Sequence, residues 1–196
     1  GLGDVYKRQS HDMLEHLEGL NKELEKEEQL PIKIGIGLNT GEVVVGNMGS
    51  DQRFDYSVLG DAVNLAARLE GQSKGYGVQI VLGEDTAQHM EAHFAMIELD
   101  NIAVKGKEEA VRIYALLGDE KQRDDPSFRN LCEQHEIMLR TYREQDWDGA
   151  QRQVEACRQL DIRLKVLYDM YDERINQYLI EPPGHDWNGV YIATTK

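Results

Sequence analysis

The chain has 196 residues, 40% of them hydrophobic, and a formal net charge of −14. This length allows one globular domain plus an appendage, with enough apolar residues for a hydrophobic core. The acidic balance argues against nucleic acid as the main partner, because a phosphate backbone requires a basic face. A nucleotide substrate remains compatible with the charge, since its site needs only a local positive cluster.

Apolar runs, cysteine context and the first nine residues predict a protein without a membrane span or a signal peptide in this sequence. No apolar run reaches the roughly 20 residues that span a bilayer, and no signal peptide pattern is present. Cys132 and Cys157 are distant and lack a CxxC context, which is typical of reduced thiols in an intracellular protein. Residues 1–9 fit no later pattern, so we expect a non-native leader on a fragment whose own N-terminus is missing.

The first predicted elements are a helix and two strands. Apolar residues at helical spacing predict an amphipathic helix over residues 10–29, which Pro31 ends. Residues 32–38 and 42–46 are predicted to be strands joined by a turn at residues 39–41.

A strand, a tight turn and a helix are predicted for residues 53–70, RFDYSVLGDAVNLAARLE. Tyr56 and Val58 favour an extended segment, and Gly60 allows the sharp turn. Asp61 is predicted to be the N-cap of the helix, whose positive end suits its charge.

Two faces of this predicted helix differ in chemistry. Small and apolar side chains recur at helical spacing and predict a buried stripe: Ala62, Leu65, Ala66 and Leu69. Asn64 and Arg68 are four residues apart and share the opposite face. An amide beside a guanidinium suits a polyanionic ligand, because arginine stays charged and offers a planar fork of donors to phosphate.

The remaining pattern predicts an α+β domain with a helical tail. Strands are predicted at residues 78–82, 97–99 and 111–117, a short helix at 85–91, and a loop at 104–107. Residues 118–127 are polar and are predicted to be a linker. Residues 128–196 are predicted to form a helical hairpin, similar to one tetratricopeptide unit and broken at 146–149, with an extended C-terminal segment packed on it.

Three motifs, taken together, resemble the C-terminal half of a class III nucleotidyl cyclase domain. They are IGIGLNTGEVVVGNMGS at residues 34–50, the segment 53–70, and VKGK at 104–107. The resemblance covers about residues 30–117 and assigns residues 10–117 to a partial cyclase domain. It implies a ferredoxin-like sheet with packed helices, conversion of a nucleoside triphosphate to a 3′,5′-cyclic monophosphate and pyrophosphate, and a head-to-tail homodimer with active sites at its interface.

The same resemblance implies roles for four residues. Arg68 matches the position that stabilises the transition-state charge, and Asn64 the position that orients the ribose. Lys105 matches a loop lysine that contacts the terminal phosphates, and Ser57 a position that helps to select the purine. Taken singly, Arg68, Asn64 and Lys105 would be interpreted as ordinary surface residues, and the surrounding motifs reverse that preference.

The family's reaction uses two Mg²⁺ or Mn²⁺ ions. The resemblance places the two aspartate ligands in motifs before residue 10, and Asp51, Asp55 and Asp61 do not match them. We therefore predict no metal ligand in this chain and expect the fragment alone to be inactive. The resemblance also places the protein on the cytoplasmic side, with any membrane anchor in missing upstream segments.

Several alternatives stay open. Ser57 favours ATP, but the second purine determinant, a lysine in adenylyl cyclases and a glutamate in guanylyl cyclases, also lies upstream. A guanylate cyclase, or a degenerate homologue acting as a regulatory or dimerisation module, therefore remains possible. The glycines at 35, 37 and 41 lack the spacing of a dinucleotide site and are expected to serve a turn and the approach of strands at a dimer interface. His89 and His93 have a spacing that can bind zinc, but a surface pair is favoured.

Overall fold

The computed structural model describes residues 2–50, 53–103 and 110–192. Within these ranges the N-terminal part contains α1 (Leu2–Lys26), β1 (Ile36–Leu38), β2 (Val44–Ser50), β3 (Arg53–Leu59), α2 (Asp61–Tyr76), β4 (Ile80–Gly83), α3 (Glu84–Gln88), β5 (Ala95–Ala103) and β6 (Ala110–Gly118). The C-terminal part contains α4 (Glu120–Arg123), α5 (Pro126–Arg143), α6 (Trp147–Leu160), a 3₁₀ turn (Ile162–Leu164), α7 (Lys165–Ile180) and β7 (Tyr191–Ile192).

The strands form a mixed sheet and a separate hairpin, which confirms the predicted α+β class. The sheet has the order β1-β4-β6-β5-β7, with β1 parallel to β4, β7 parallel to β5, and the other pairs antiparallel. Strands β2 and β3 pair only with each other among the described strands. Side chains alternate along β4, so that Val81 joins one apolar cluster and its neighbours Ile80 and Leu82 join another. The first cluster lies beneath α2 and α5–α7, and the second contacts Leu14 of α1 and Ala87 of α3.

The predicted hairpin between residues 32–38 and 42–46 is wrong. β1 lies beside β4, whereas β2 pairs with β3. The reason is a close contact between β1 and α2: a Cβ on Gly37 would lie 2.1 Å from the carbonyl oxygen of Ala66. Gly37 therefore allows β1 to pack closely on α2. The sequence had instead predicted that this glycine serves the approach of strands at a dimer interface.

Helix α1 begins at Leu2, eight residues before the predicted start, and ends at Lys26. It therefore runs through the segment that was expected to be a leader, and that assignment stays a prediction. None of the described helices is both long and apolar enough to cross a membrane.

The segment predicted to be a linker, residues 118–127, contains secondary structure. It contains the end of β6 at Gly118 and the short helix α4. The Asp119 carboxylate accepts a hydrogen bond of 3.1 Å from the backbone N–H of Gln122, and Asp125 accepts one of 2.8 Å from that of Ser127. Both aspartates therefore act as helix caps, which the polar composition did not reveal.

The tail contains three helices where two were predicted. The apolar spacing runs on from α6 to α7, but the chain turns at Asp161, where the backbone is extended. The Asp161 carboxylate accepts a hydrogen bond of 2.9 Å from the backbone N–H of Arg163 and so begins the 3₁₀ turn.

The tail and the sheet share one hydrophobic core. Fully buried side chains from both meet in it: Leu99, Ile102 and Ile113 of the sheet, and Met138, Leu167, Tyr171 and Ile175 of the tail. Trp187 packs edge-on against Tyr142, with ring centroids 5.3 Å apart, which confirms the predicted packing of the C-terminal segment on the tail. The strand β7 that follows, paired with β5, was not predicted.

Candidate active site

The strand, turn and helix predicted for residues 53–70 are confirmed. Gly60, between β3 and α2, has φ of 153°, which favours glycine, and a Cβ there would lie 3.0 Å from the carbonyl oxygen of Glu42. The prediction that Asp61 is the N-cap is wrong: Gly60 takes that position, and Asp61 is the first helical residue. Its negative charge still lies in the first turn, where it interacts favourably with the positive end of the helix dipole.

Helix α2 has the two faces that its sequence predicts. Leu65 and Leu69 are buried, whereas Asn64 and Arg68 are exposed on the other side. Arg68 makes no hydrogen bond or ion pair with another described residue. Its exposed guanidinium lies one helical turn from the Asn64 amide, and the two groups together offer donors that suit an anion.

Residues distant in the sequence hold α2 in place. The Asn39 amide donates a hydrogen bond of 3.1 Å to the carbonyl of Ala62 in the first turn. Next to it, the Thr40 and Thr86 hydroxyls share a hydrogen bond of 2.9 Å. Residues 39–41 were predicted only as a turn, and the tertiary structure places Asn39 against α2 and Thr40 against α3.

Ser57 lies on β3, half-buried and opposite Gly46 of β2. A Cβ on Gly46 would meet no other atom within 4 Å, so the space across from Ser57 is open. Val44 and Leu59 are paired two residues along and share this face of the hairpin.

The hairpin carries an exposed apolar surface. Val44 is 67% exposed and Tyr56 77%, and four further apolar side chains are also exposed: Val43, Val45, Val58 and Leu59. A surface of this kind is typical of a contact with another molecule. We call it the hairpin surface.

Lys105 lies outside the described residues, as does the whole loop 104–107. The described residues on either side belong to β5, which ends at Ala103, and to β6, which begins at Ala110. The role of Lys105 stays a prediction.

The described residues contain no group of three or more histidine, cysteine, aspartate or glutamate side chains placed to hold a metal ion. The exposed His89 instead donates from Nδ1 to the carbonyl of Asp85, at 2.5 Å. The residues present in the described ranges therefore do not fit a two-metal site.

His135, a buried histidine of α5, joins the tail to the sheet. His135 donates from Nε2 to the carbonyl of Glu98 at 2.6 Å, and its Nδ1 lies 3.2 Å from the Tyr168 hydroxyl. Since a carbonyl only accepts, Nε2 carries the proton and Nδ1 accepts from Tyr168. Burial lowers the pKa of His135 to about 4, so the ring is neutral at pH 7.

Comparison with known proteins identifies the N-terminal part. The family model of the adenylate and guanylate cyclase catalytic domain matches residues 8–118. The adenylate cyclase of Anabaena cylindrica is 42% identical over 86 residues, covering 42% of this chain and 17% of the relative. Adenylate cyclase 1 of Rhizobium meliloti is 32% identical over 105 residues, covering 53% of this chain and 16% of the relative. The chain thus spans less than a fifth of these relatives.

Among solved structures, the adenylyl cyclase CyaB from P. aeruginosa aligns with a TM-score of 0.47 at 30% identity, covering 53% of this chain and 52% of that one. The guanylyl cyclase Cya2 aligns with a TM-score of 0.44 at 32% identity, covering 55% and 54%.

Proposed function

The chain belongs to the adenylate and guanylate cyclase catalytic domain family, and from this premise we propose that it is the C-terminal part of an adenylate cyclase. The complete protein converts ATP to 3′,5′-cyclic AMP and pyrophosphate in intracellular signalling. The observation that carries the proposal is the exposed pair Asn64 and Arg68 on α2, directly after the β3 turn, within the residues that match the family.

The reaction is an attack of the ribose 3′ oxygen on the α-phosphorus, with pyrophosphate as the leaving group. Negative charge gathers on the phosphoryl oxygens in the transition state. Arg68 lies on a rigid helix and presents a permanently charged fork to those oxygens, which is the arrangement that lowers such a barrier. Asn64, one turn earlier, orients the ribose, and Lys105 binds the terminal phosphates.

The choice of ATP depends on Ser57. Its hydroxyl can donate to an adenine ring nitrogen or accept from the adenine amino group. The open space opposite Ser57, over Gly46, supports the approach of a planar base to this face of the hairpin.

A homodimer is part of the proposal, with two copies joined through the cyclase domain. The hairpin surface supports this, because Val44 and Leu59 are more than half exposed and share the face that carries Ser57, while Tyr56 is exposed on the opposite face. A second copy would cover apolar area that the described part of this chain leaves open.

The two Mg²⁺ or Mn²⁺ ions that serve this family's reaction remain part of the proposal for the complete domain. They would polarise the phosphate oxygens and activate the attacking hydroxyl. The described residues do not fit such a site, and the steps assigned to Asn64, Arg68, Ser57 and Lys105 do not depend on it.

The test is an assay of the complete protein with ATP or GTP, in Mg²⁺ or Mn²⁺, measuring both cyclic nucleotides. We expect cyclic AMP as the main product. Formation of cyclic GMP in preference to cyclic AMP would make the protein a guanylate cyclase, and the absence of both cyclic nucleotides would make it a degenerate regulatory module.

A complementation assay tests the shared site. The 196-residue chain alone is expected to give no cyclic AMP. Mixed with a complete protein that carries Asn64→Ala and Arg68→Ala, it is expected to restore activity, because each site takes residues from both copies. Failure to restore activity, with mixed dimers demonstrated, would contradict the shared site.

A further inference from the structure

A buried polar cluster lies where α2, β5, α7 and β7 meet. It consists of Tyr76, Asp100, Tyr171, Arg174 and Tyr191, and we call it the Arg174 junction. Arg174 and Asp100 are both almost fully buried, at 8% and 1% exposure. Charged residues are seldom buried so completely unless they are paired.

The hydrogen bonds of the junction link three elements through one carboxylate. Arg174 donates to Oδ2 of Asp100 at 2.5 Å, and the Tyr76 hydroxyl donates to the same oxygen at 2.7 Å. The other oxygen, Oδ1, accepts from the backbone N–H of Asn101 at 2.8 Å. Burial, and then the Asp100 charge, raises the pKa of Tyr76 far above its usual value, so its hydroxyl keeps the proton that it donates.

Aromatic rings complete the enclosure of the guanidinium. The Arg174 guanidinium carbon lies 3.4 Å from the ring centroid of Tyr191, 5.6 Å from that of Tyr171 and 5.8 Å from that of Tyr76. Cation–π contacts of this kind are strengthened where water is excluded. Arg174 therefore fixes the C-terminal strand to α7 as well as α7 to the sheet.

The junction reaches two segments of the cyclase domain. The first is α2, which carries Asn64 and Arg68, the two predicted substrate contacts on that helix. Tyr76 is the last residue of α2 and continues its buried stripe after Leu65 and Leu69. Arg68 lies eight residues earlier on the same helix, about 12 Å along its axis. A clamp at Tyr76 thus sets how α2 is rotated on the sheet, and with it the direction in which Asn64 and Arg68 point.

The second segment is the end of β5, which precedes Lys105 in the sequence. Tyr191 and Ile192 of β7 pair with Ile102 and Ala103, the last described residues of β5. Tyr191 is the ring closest to Arg174, so the same residue also fixes the strand that borders the end of β5.

Anchoring of the tail does not require this ion pair. The tail already buries large apolar side chains against the sheet, among them Met138, Leu167 and Ile175. Replacement of a buried ion pair by apolar residues is often neutral or stabilising, so such a pair is weak evidence for stability alone. Its distinct property is direction, because the two ends of the guanidinium donate to two different partners, one to Oδ2 of Asp100 and the other to the Tyr76 hydroxyl at 3.4 Å.

We propose that Arg174 is a positioning residue for the cyclase reaction, which orients α2 and the end of β5 through Asp100, Tyr76 and Tyr191. This inference rests on the proposed function. It makes the helical tail a working part of the catalytic domain, and any partner that displaces α7 or β7 would change the rate of cyclisation.

The test compares two arginine-to-lysine variants in the complete protein. Arg174→Lys keeps the charge and removes the fork and the ring stacking. The control is Arg158→Lys, since the ion pairs of Arg158 with described residues are to Glu155 of its own helix α6 and to Asp169 and Asp172 of α7. The measurements are kcat and KM for ATP, together with hydrogen–deuterium exchange of each segment.

For Arg174→Lys we expect kcat to fall about tenfold with KM changed less than threefold, because Arg68 acts in the transition state and a small misplacement lowers the rate of chemistry. Exchange should rise at least about tenfold in α2 and in β5, with α5 and α6 unchanged. Arg158→Lys should leave kcat within about twofold.

Because a weakened buried ion pair destabilises a protein, Tyr76→Phe provides a second variant that removes one hydroxyl only. We expect its kcat to fall about threefold. Unchanged kcat in folded Arg174→Lys and in Tyr76→Phe, or an equal fall in Arg158→Lys, would overturn the proposal. If the wild-type protein forms no cyclic AMP, the proposed function fails, and the exchange of α2 and β5 alone then decides whether the junction orients them.

Discussion

On the tail side of the sheet, side chains such as Leu99 and Ile102 are fully buried beneath α5–α7, whereas on the hairpin surface Val44 and Tyr56 are more than half exposed. Both regions belong to the same family-matched part of the chain. Burial of apolar area is favourable in either place, at about 25 cal/mol per Å². The described chain satisfies this tendency by itself on the tail side, whereas it leaves the hairpin surface exposed.

This difference in burial suggests two ways in which the candidate active site can be controlled. The tail reaches α2 from within the chain through Tyr76, whereas in the proposed homodimer a second copy would reach β3 and Ser57 from outside. Changes on the tail side should therefore act through folding and orientation, and changes on the hairpin should act through assembly and substrate choice.

The largest fall in kcat is expected from replacement of Arg68, which is exposed on α2. In the complete protein, Arg68→Ala should lower kcat about 10²- to 10³-fold, roughly 3–4 kcal/mol, with a smaller change in KM. Arg140→Ala, an exposed arginine of the tail, is the control and should leave kcat unchanged. A near-normal kcat in folded Arg68→Ala would return this residue to an ordinary surface role.

The tail side should respond to acid through His135. Its pKa is about 4 in the folded protein and about 6.5 when unfolded, so only the unfolded chain takes up this proton between those values. Its contribution is complete above pH 6.5 and is lost as the pH falls toward 4, by about 3 kcal/mol in total. Denaturant unfolding at several pH values should give a shallower loss for His135→Gln than for the wild type.

The matched control is His16→Gln, because His16 is exposed on α1. Its stability profile should follow that of the wild type. A wild-type slope retained in His135→Gln would show that other groups cause the acid sensitivity.

The hairpin surface should respond to a charge through assembly. Val44→Asp is expected to raise the dimer dissociation constant about 30-fold, roughly 2 kcal/mol, because the dimer would lose a buried valine in each copy. Ile180→Asp is the control, since Ile180 is 87% exposed at the end of α7. Sedimentation equilibrium measures both, and equal weakening by the two variants would argue against the hairpin as the contact.

The smallest effect concerns purine choice. Ser57→Ala should lower the ratio of kcat/KM for ATP over GTP about fivefold, roughly 1 kcal/mol, since one hydrogen bond to the adenine edge is lost. The ratio is measured on the complete protein with both nucleotides. A preference for GTP in the wild type, or an unchanged ratio in Ser57→Ala, would count against the assignment.

The candidate site was predictable from the sequence to the extent that its signals are local. Asn64 and Arg68 share a face because residues four apart on a helix always do, and the turn before them is specified by Gly60. The cap at Asp61 was placed one residue too late, because a glycine with positive φ took the position. The partners of β1 and β2 were wrong, since neither strand's pattern specifies which other strand it will meet.

By itself, the sequence determined the strand, turn and helix around Gly60, the two faces of α2, and membership of the cyclase family. Only the tertiary structure decided that the tail is part of the catalytic domain's core, and that Arg174 meets Asp100 and Tyr76, 74 and 98 residues away along the chain. Helical and strand periodicities report which side of an element is buried, whereas the identity of the neighbour depends on how whole elements pack. A buried arginine paired across that distance leaves no local pattern, because its spacing on α7 is that of any residue on the inner face of a helix.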